Sequence, residues 1–174
     1  MYIFKISYHF KLSKKFCLSS CIDVIETESK FQIAGIIGQP GGNSESIFGY
    51  EVLGDDNDLS EIIKKYPIAF ITVGQIKSAD LRVKLFSSLK DLGVKLPIII
   101  SPNAHISKYT EIKEGTIVMH GAIINAGSII GENCIINNQA LIEHDALVKP
   151  HCHISTGVRI NGNVHVGKES FIGS

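Results

Sequence analysis

Neither sign of charge predominates in this chain. Seventeen basic and 17 acidic residues cancel across 174 positions, so nothing in the balance favours nucleic acid or an anionic membrane as a partner. No apolar run approaches the ~18 residues that span a bilayer. A secretory signal is also missing. Lys5 interrupts the apolar part of MYIFKISYHFKLSKKFCLSS, and the rest of the positive charge follows that part instead of leading it. The four cysteines form no CxxC pair, and a reduced, cytoplasmic protein is the expectation. What is present suits a soluble globular protein: 44% hydrophobic and 20% charged residues, in a length that holds one ordinary domain or two small ones.

Two stretches with different periodicity divide the chain into expected domains at 1–97 and 98–174. In the first, FQIAGII (31–37) and AFITVG (69–74) are short apolar runs ending in glycine, as buried parallel strands often do. Leu59–Tyr66 reads as a short helix between them. Ser78 is placed to cap a second helix with Leu81, Leu85, Leu89 and Leu92 on one face and Gly93 closing it. Strand–helix alternation predicts a small α/β, Rossmann-like unit, with VKLPIIISP (94–102) as a last strand leaving it.

From residue 104 the period becomes six. Ile106, Ile112, Val118, Ile124, Ile130, Ile136, Ile142, Val148, Ile154, Ile160, Val166 and Ile172 recur without a miss. Two positions before each lies a short residue: Ala104, Thr110, Thr116, Ala122, Ser128, Cys134, Ala140, Ala146, Cys152, Val158, Val164 or Ser170. Six fits neither a 3.6-residue helix nor a simple alternating strand, so a repeat architecture is expected. This hexapeptide pattern resembles the left-handed parallel β-helix of the hexapeptide acyltransferases. There, three hexads form one triangular coil and coils stack at the ~4.8 Å strand spacing. Twelve hexads make four coils of eighteen residues, with the branched residues inside and the short ones at the corners. In that register Cys134 and Cys152 share one column, one coil apart, as small buried hydrophobes.

The segment LIEHDALVKPHCHIST (141–156) concentrates three histidines with a glutamate and an aspartate. A zinc site needs ligands converging within ~2.1 Å of one ion. The hexapeptide relatives of carbonic anhydrase combine a close histidine pair with a third two coils away. Thirty-six residues before His151 and His153 stand Gly115 and Ile117, which cannot ligate. His120, His144 and His165 are 24 and 21 apart and do not stack on a coil of eighteen. No metal is expected, and a metal-dependent hydratase is disfavoured. A general base asks only for one imidazole, neutral near pH 7 and held by a hydrogen bond. Glu143 or Asp145 can hold His144 only at a corner or bulge, because neighbouring side chains on a regular strand face opposite ways. The ordinary reading of any one of these histidines is a solvated surface residue, and His151 in particular is expected to be exposed.

The block IINNQALIEHDALVKPHCHISTGVRINGNVHVGKESFIGS resembles the bacterial sugar O- and N-acetyltransferases among the hexapeptide acyltransferases. These are of the sialic acid O-acetyltransferase and nucleotide-linked amino-sugar N-acetyltransferase type. The resemblance implies acetyl-CoA as donor, a sugar or nucleotide-sugar acceptor, and a homotrimer with active sites between subunits. It implies His144 as general base, Asp145 as the acid that raises its proton affinity, and Asn137 as a residue positioning acceptor and base. It further implies acetyl-CoA contacts from His153 and Ser174, a backbone amide near the thioester from Gly162, and a sugar-nucleotide position at Gly74. The transfer it implies is direct and needs no covalent acyl-enzyme, and Cys152, in its buried column, is a poor candidate for a nucleophile.

Two departures from the family pattern bear on activity. Cys21–Glu26 is aligned with the family's first helix, which puts SKKFCL (13–18), with no glycine, where a GAGGH-type phosphate-binding turn belongs. Gly38–Gln39 replace the usual acidic pair, and GQPGGNS reads as a loop. The sequence stops at FIGS, where relatives continue for several hexads. An altered N-terminus and a truncated C-terminus are therefore expected, and a non-catalytic, trimer-forming remnant is the alternative to an active enzyme.

Overall fold

The computed structural model describes residues 2–5, 16–38 and 46–174, with side chains from Leu18 onward apart from Ile47. Lys14, Lys15 and most of GQPGGNS lie outside the described residues. The first part of the chain runs β1 (Tyr2–Lys5), α1 (Phe16–Glu28), β2 (Ile33–Ile37), β3 (Ser46–Ile47), β4 (Tyr50–Gly54), α2 (Leu59–Lys65), β5 (Ala69–Ile71) and α3 (Asp80–Asp91). Its strands form one sheet in the order β3-β4-β2-β1-β5, parallel except for the β3–β4 pair.

No strand is evident in the N-terminal sequence, yet β1 is an interior strand of this sheet, between β2 and β5. Its short run YIFK is bounded by a lysine and reads as mixed by composition; only pairing with β2 and β5 identifies it. Strands β3 and β4 carry no sequence signal either. The first helix starts at Phe16, so the last three residues of SKKFCL are helical, not part of a turn. On α3, Leu85 and Leu89 are buried as the spacing requires. Leu92 is 45% exposed, because it is the residue at which the helix ends and Gly93, at φ +71°, turns the chain away. Ser78 does accept the Asp80 N–H at 3.0 Å, from one residue before the Ala79 cap.

The segment 94–102 leaves the α/β unit for the solenoid, but as two separate pairings and not as one strand. Lys95 makes an isolated parallel bridge with Ile68, whereas Ile99–Ile100 pairs with Ile117–Val118 in the second part of the chain. Pro97 stands between them, with no N–H to continue a ladder.

From there two-residue strands recur every six residues and stack into three parallel sheets. One face carries Ile99–Ile100, Ile117–Val118, Ile135–Ile136, His153–Ile154 and Phe171–Ile172. The second carries His105–Ile106, Ile123–Ile124, Leu141–Ile142 and Arg159–Ile160. The third carries Glu111–Ile112, Ile129–Ile130, Leu147–Val148 and His165–Val166. Every register step is eighteen residues, in keeping with a left-handed β-helix of hexapeptide repeats. The interior column is dry: Ile124, Ile130, Ile136, Ile142, Val148 and Ile154 are all 0% exposed. Burying each such side chain stabilises by roughly 1.5–3 kcal/mol before entropy is subtracted.

The turning residue lies one place before the expected one. Positions 115, 121, 127, 133, 139, 145, 151, 157 and 163, and then 169, all have positive φ, from +52° at Asn133 to +75° at Gly127. The short residue that follows each turn points into the prism instead of making the corner. Ala122, Cys134, Ala140 and Cys152 are fully buried there.

The two parts of the chain meet on the first face. Cys21, Val24 and Ile25 of α1 and Phe70 of β5 cover Ile99, Ile117 and Ile135. Behind this apolar contact lies a polar one. The Arg82 guanidinium donates to the carbonyls of Ile71 and Val73 and to both the main-chain and side-chain oxygens of Asn133, the latter at 2.6 Å. His120 bridges Ser101 Oγ (2.7 Å) and Asp23 Oδ2 (2.9 Å), tying α1 to the solenoid. Among the described residues no helix is long and apolar enough to cross a membrane.

Candidate functional site

His144 and Asp145 follow the strand Leu141–Ile142 and occupy the corner between the second and third faces. Asp145 is the turning residue, at φ +59°. That turn lets two sequence neighbours face one another: His144 Nδ1 lies 2.9 Å from Asp145 Oδ2. Glu143, the other possible partner, instead accepts a hydrogen bond from Asn125 Nδ2 at 2.8 Å. The hydrogen bond that His144 donates to Asp145 raises the His144 pKa; desolvation opposes it, and the charges of Asp145 and Glu143 reinforce it. With the Nδ1 proton directed to Asp145, the neutral ring presents the lone pair of Nε2. The dyad is open to solvent, with both side chains about two-thirds exposed.

One coil above His144 lies Gly162. A Cβ there would stand 2.7 Å from His144 Nε2 and 2.8 Å from Cε1, so only glycine leaves room for the ring in this position. One coil below Asp145 lies Gly127, where a Cβ would overlap Asp145 Oδ1 outright. The structure thus brings together His144, Asp145 and Gly162, all expected from the sequence, and adds Gly127, which sequence reasoning missed. The eighteen-residue register is the signal that points to it: 145 minus 18 is 127.

The remaining expected site residues lie elsewhere on this chain. Asn137 is half-buried at the corner between the first and second faces, with its Oδ1 accepting the Asn138 N–H at 2.8 Å. Ser174 is exposed beyond the strand Phe171–Ile172. Gly74 is half-buried in the segment after β5, between Val73 and Gln75. His153 is only 5% exposed. Its Nδ1–H donates to the Gln75 carbonyl at 2.8 Å and its ring meets Phe171 edge-on. Burial lowers its pKa, the Gln75 hydrogen bond opposes that, and the Arg82 charge lowers it further. The ring is therefore neutral, with a buried Nε2 acceptor that has no hydrogen-bond partner among the described residues.

His151 is not the exposed residue expected. It is half-buried against Phe86, its Nδ1 lies 2.9 Å from Asn133 Nδ2, and its carbonyl accepts from Gln75 Nε2 at 2.9 Å. The α/β unit covers this corner, which solenoid periodicity alone cannot show. Cys134 and Cys152 are both fully buried in one column, as the register requires. Among the described residues no three His, Cys, Asp or Glu side chains are grouped so as to hold a metal.

Residues 109–144, less than half of the chain, match the family model "Bacterial transferase hexapeptide (six repeats)". No curated protein sequence is matched. Among solved structures, a mutant of perosamine N-acetyltransferase from Caulobacter crescentus, in complex with CoA and GDP-perosamine, superposes with a TM-score of 0.84 at 26% identity. The match covers 98% of this chain and 75% of that one. The acetyltransferase domain of PglB from Neisseria gonorrhoeae FA1090, in complex with acetyl coenzyme A, gives 0.82 at 24% identity, covering 99% and 79%. WeeI from Acinetobacter baumannii AYE gives 0.69 at 24% identity, covering 95% and 74%. At this identity the last two are likenesses of fold.

Proposed function

We propose that this chain is an acetyl-CoA-dependent sugar acetyltransferase of bacterial surface-glycan synthesis, with His144 as general base. The observation that carries the reading is the His144–Asp145 dyad. It is solvent-open, its Nδ1 proton is committed to a carboxylate, and its Nε2 lone pair is free beside the Gly162 backbone. That arrangement suits the removal of a proton from an attacking amine or hydroxyl, with Asp145 stabilising the imidazolium that forms. Acetyl-CoA supplies the acetyl group, and its thiol leaves as the sugar nitrogen or oxygen bonds to the carbonyl carbon. Gly162 offers a backbone amide near the thioester. The likeness to a perosamine N-acetyltransferase favours the amine of a nucleotide-linked amino sugar over a hydroxyl of sialic acid.

Asn137, His153, Ser174 and Gly74 join this site across subunits in a homotrimer. Supporting that assembly, the faces flanking the His144 corner carry apolar residues outward, with Ile123 at 40% and Ile129 at 39% exposure. The outward residues of the first face, Ile117 and Ile135, are by contrast already covered by α1 and β5. A second copy of the chain against the bare faces would bring other corners to His144. His153 carries a neutral, unpartnered Nε2 suited to an amide N–H of the donor, which reaches it once the cover over that nitrogen is displaced.

The test is thiol release from acetyl-CoA with a panel of UDP- and GDP-linked amino sugars and sialic acids. Acceptor-dependent release that His144→Ala abolishes is expected. Release at the same rate in His144→Ala overturns the mechanism, and no release with any acceptor overturns the reading.

A further inference from the structure

The corners of the solenoid accept ordinary residues readily. Asn133, Gln139, Asp145, His151, Asn163 and Glu169 all turn at φ between +52° and +62° without glycine. Positive φ therefore does not by itself explain a glycine at 127, although L residues do carry some strain there. What distinguishes Gly127 is what stands above it. The space its missing Cβ leaves is filled by the Asp145 carboxylate, whose Oδ1 a Cβ would overlap and whose Cγ would lie 3.3 Å from it. The Asp145 main chain is anchored in the same place by its N–H to the Ala126 carbonyl at 3.0 Å. The carboxylate can avoid a Cβ at 127 only by rotating away, and rotation breaks its contact with His144.

We infer that Gly127 is a positioning residue for the proposed acetyl transfer: the absence of a side chain there holds the Asp145 carboxylate against His144 Nδ1. The inference rests on the reading of His144 as base, yet its geometric part stands or falls without any turnover. Gly162 limits the ring from the coil above, and Gly127 sets the carboxylate from the coil below. Between them the tautomer and the direction of Nε2 are determined, and neither glycine touches the reacting atoms through a side chain.

Gly157 provides the control. It has φ +70°, close to the +75° of Gly127, but lies at the corner between the first and second faces, and a Cβ there meets nothing within 4 Å. Gly157→Ala thus carries the backbone strain without the contact. The primary readout is the titration of the His144 imidazole by NMR, assigned through His144→Gln. The charged groups acting on that ring are Asp145 and Glu143. In Gly127→Ala the His144 midpoint is expected to fall to that of Asp145→Ala, with no further fall in the double variant Gly127→Ala/Asp145→Ala. Gly157→Ala is expected to leave it at the wild-type value. Should Gly127→Ala not fold, Gly127→Asn places the same Cβ on a residue type that already turns at Asn133 and Asn163. A wild-type His144 midpoint in a folded Gly127 variant overturns the inference, as does an equal fall in Gly157→Ala. With the acceptor found, kcat/KM of Gly127→Ala is expected to drop on the order of 10- to 100-fold, since a displacement of about 1 Å can cost about 10²-fold. Loss of the titration effect with activity intact refutes the role of Gly127. A normal titration effect without acetyl transfer in the wild type refutes the acetyltransferase reading alone.

Discussion

His153 donates its Nδ1–H to the main-chain oxygen of Gln75 at 2.8 Å, across 78 residues of sequence. A buried imidazole is thereby held in one tautomer by the segment after β5. It follows that stability depends on pH with a defined sign. His153 and His151 both have folded pKa values below the ordinary 6.5, chiefly because burial disfavours their charged forms. Below 6.5 the unfolded chain binds protons that the folded chain refuses, so stability is full above that pH and is lost as pH falls towards the folded values. The urea midpoint is expected to decrease between pH 7.5 and 5.5, and His153→Gln, which cannot titrate, should reduce that slope. A slope unchanged by the substitution would contradict a buried, neutral His153.

The His144 dyad has the opposite sign. Its pKa is raised, first by the Asp145 hydrogen bond, so the free base appears at higher pH than in an unperturbed histidine. The acidic limb of kcat/KM is expected at higher pH than an unperturbed histidine would set. Asp145→Asn should move the limb to lower pH and lower the plateau, because the base ionises more easily but is weaker and less well oriented. A limb that stays in place would assign the titration to another group.

Arg82 is 1% exposed and spans four oxygens, two on Ile71 and Val73 and two on Asn133. Arg82→Ala is expected to destabilise by about 3 kcal/mol or more, because it strands buried acceptors that were bonded to a charged donor. Arg82→Lys should recover little of this, since an ammonium cannot match the planar fork. Urea denaturation measures both. Full recovery by lysine would mean that charge alone matters at this position.

Cys152 donates its S–H to the Gly167 carbonyl at 2.9 Å inside the prism. Cys152→Ala is expected to keep acetyl transfer within about threefold of wild type, since catalysis by direct transfer uses no thiol and alanine already serves the equivalent hexad position at the other two corners, at Ala122, Ala140 and Ala146. Both solenoid cysteines should react with a thiol reagent only after denaturation. Loss of activity with the fold intact would point to an acyl-enzyme.

The solenoid was legible in the sequence because its period carries the whole constraint. Each hexad contributes one interior aliphatic, and from Val118 to Val166 the burial of that column follows the sequence without exception. Cys134 and Cys152 were placed by the same register. The α/β unit was legible only in part. Its buried strands β2 and β5 and helices α2 and α3 announce themselves by apolar runs and spacing, whereas β1, β3 and β4 are short and gain their identity from partners.

The sequence by itself determined which residues fill the prism, where each coil repeats, and that an imidazole and a carboxylate, His144 and Asp145, are neighbours. Those are local or periodic properties, written into the chain one hexad at a time. Tertiary structure alone decided which side chains meet. It set Asp145 at φ +59° so that its carboxylate reaches His144 Nδ1, laid Gly127 beneath that carboxylate, and half-buried His151 and buried His153 under the α/β unit. The physical reason is that turning a coil and covering a face are non-local acts. A corner brings residue i beside i+18, and a docked helix or loop changes the solvation of residues far along the chain.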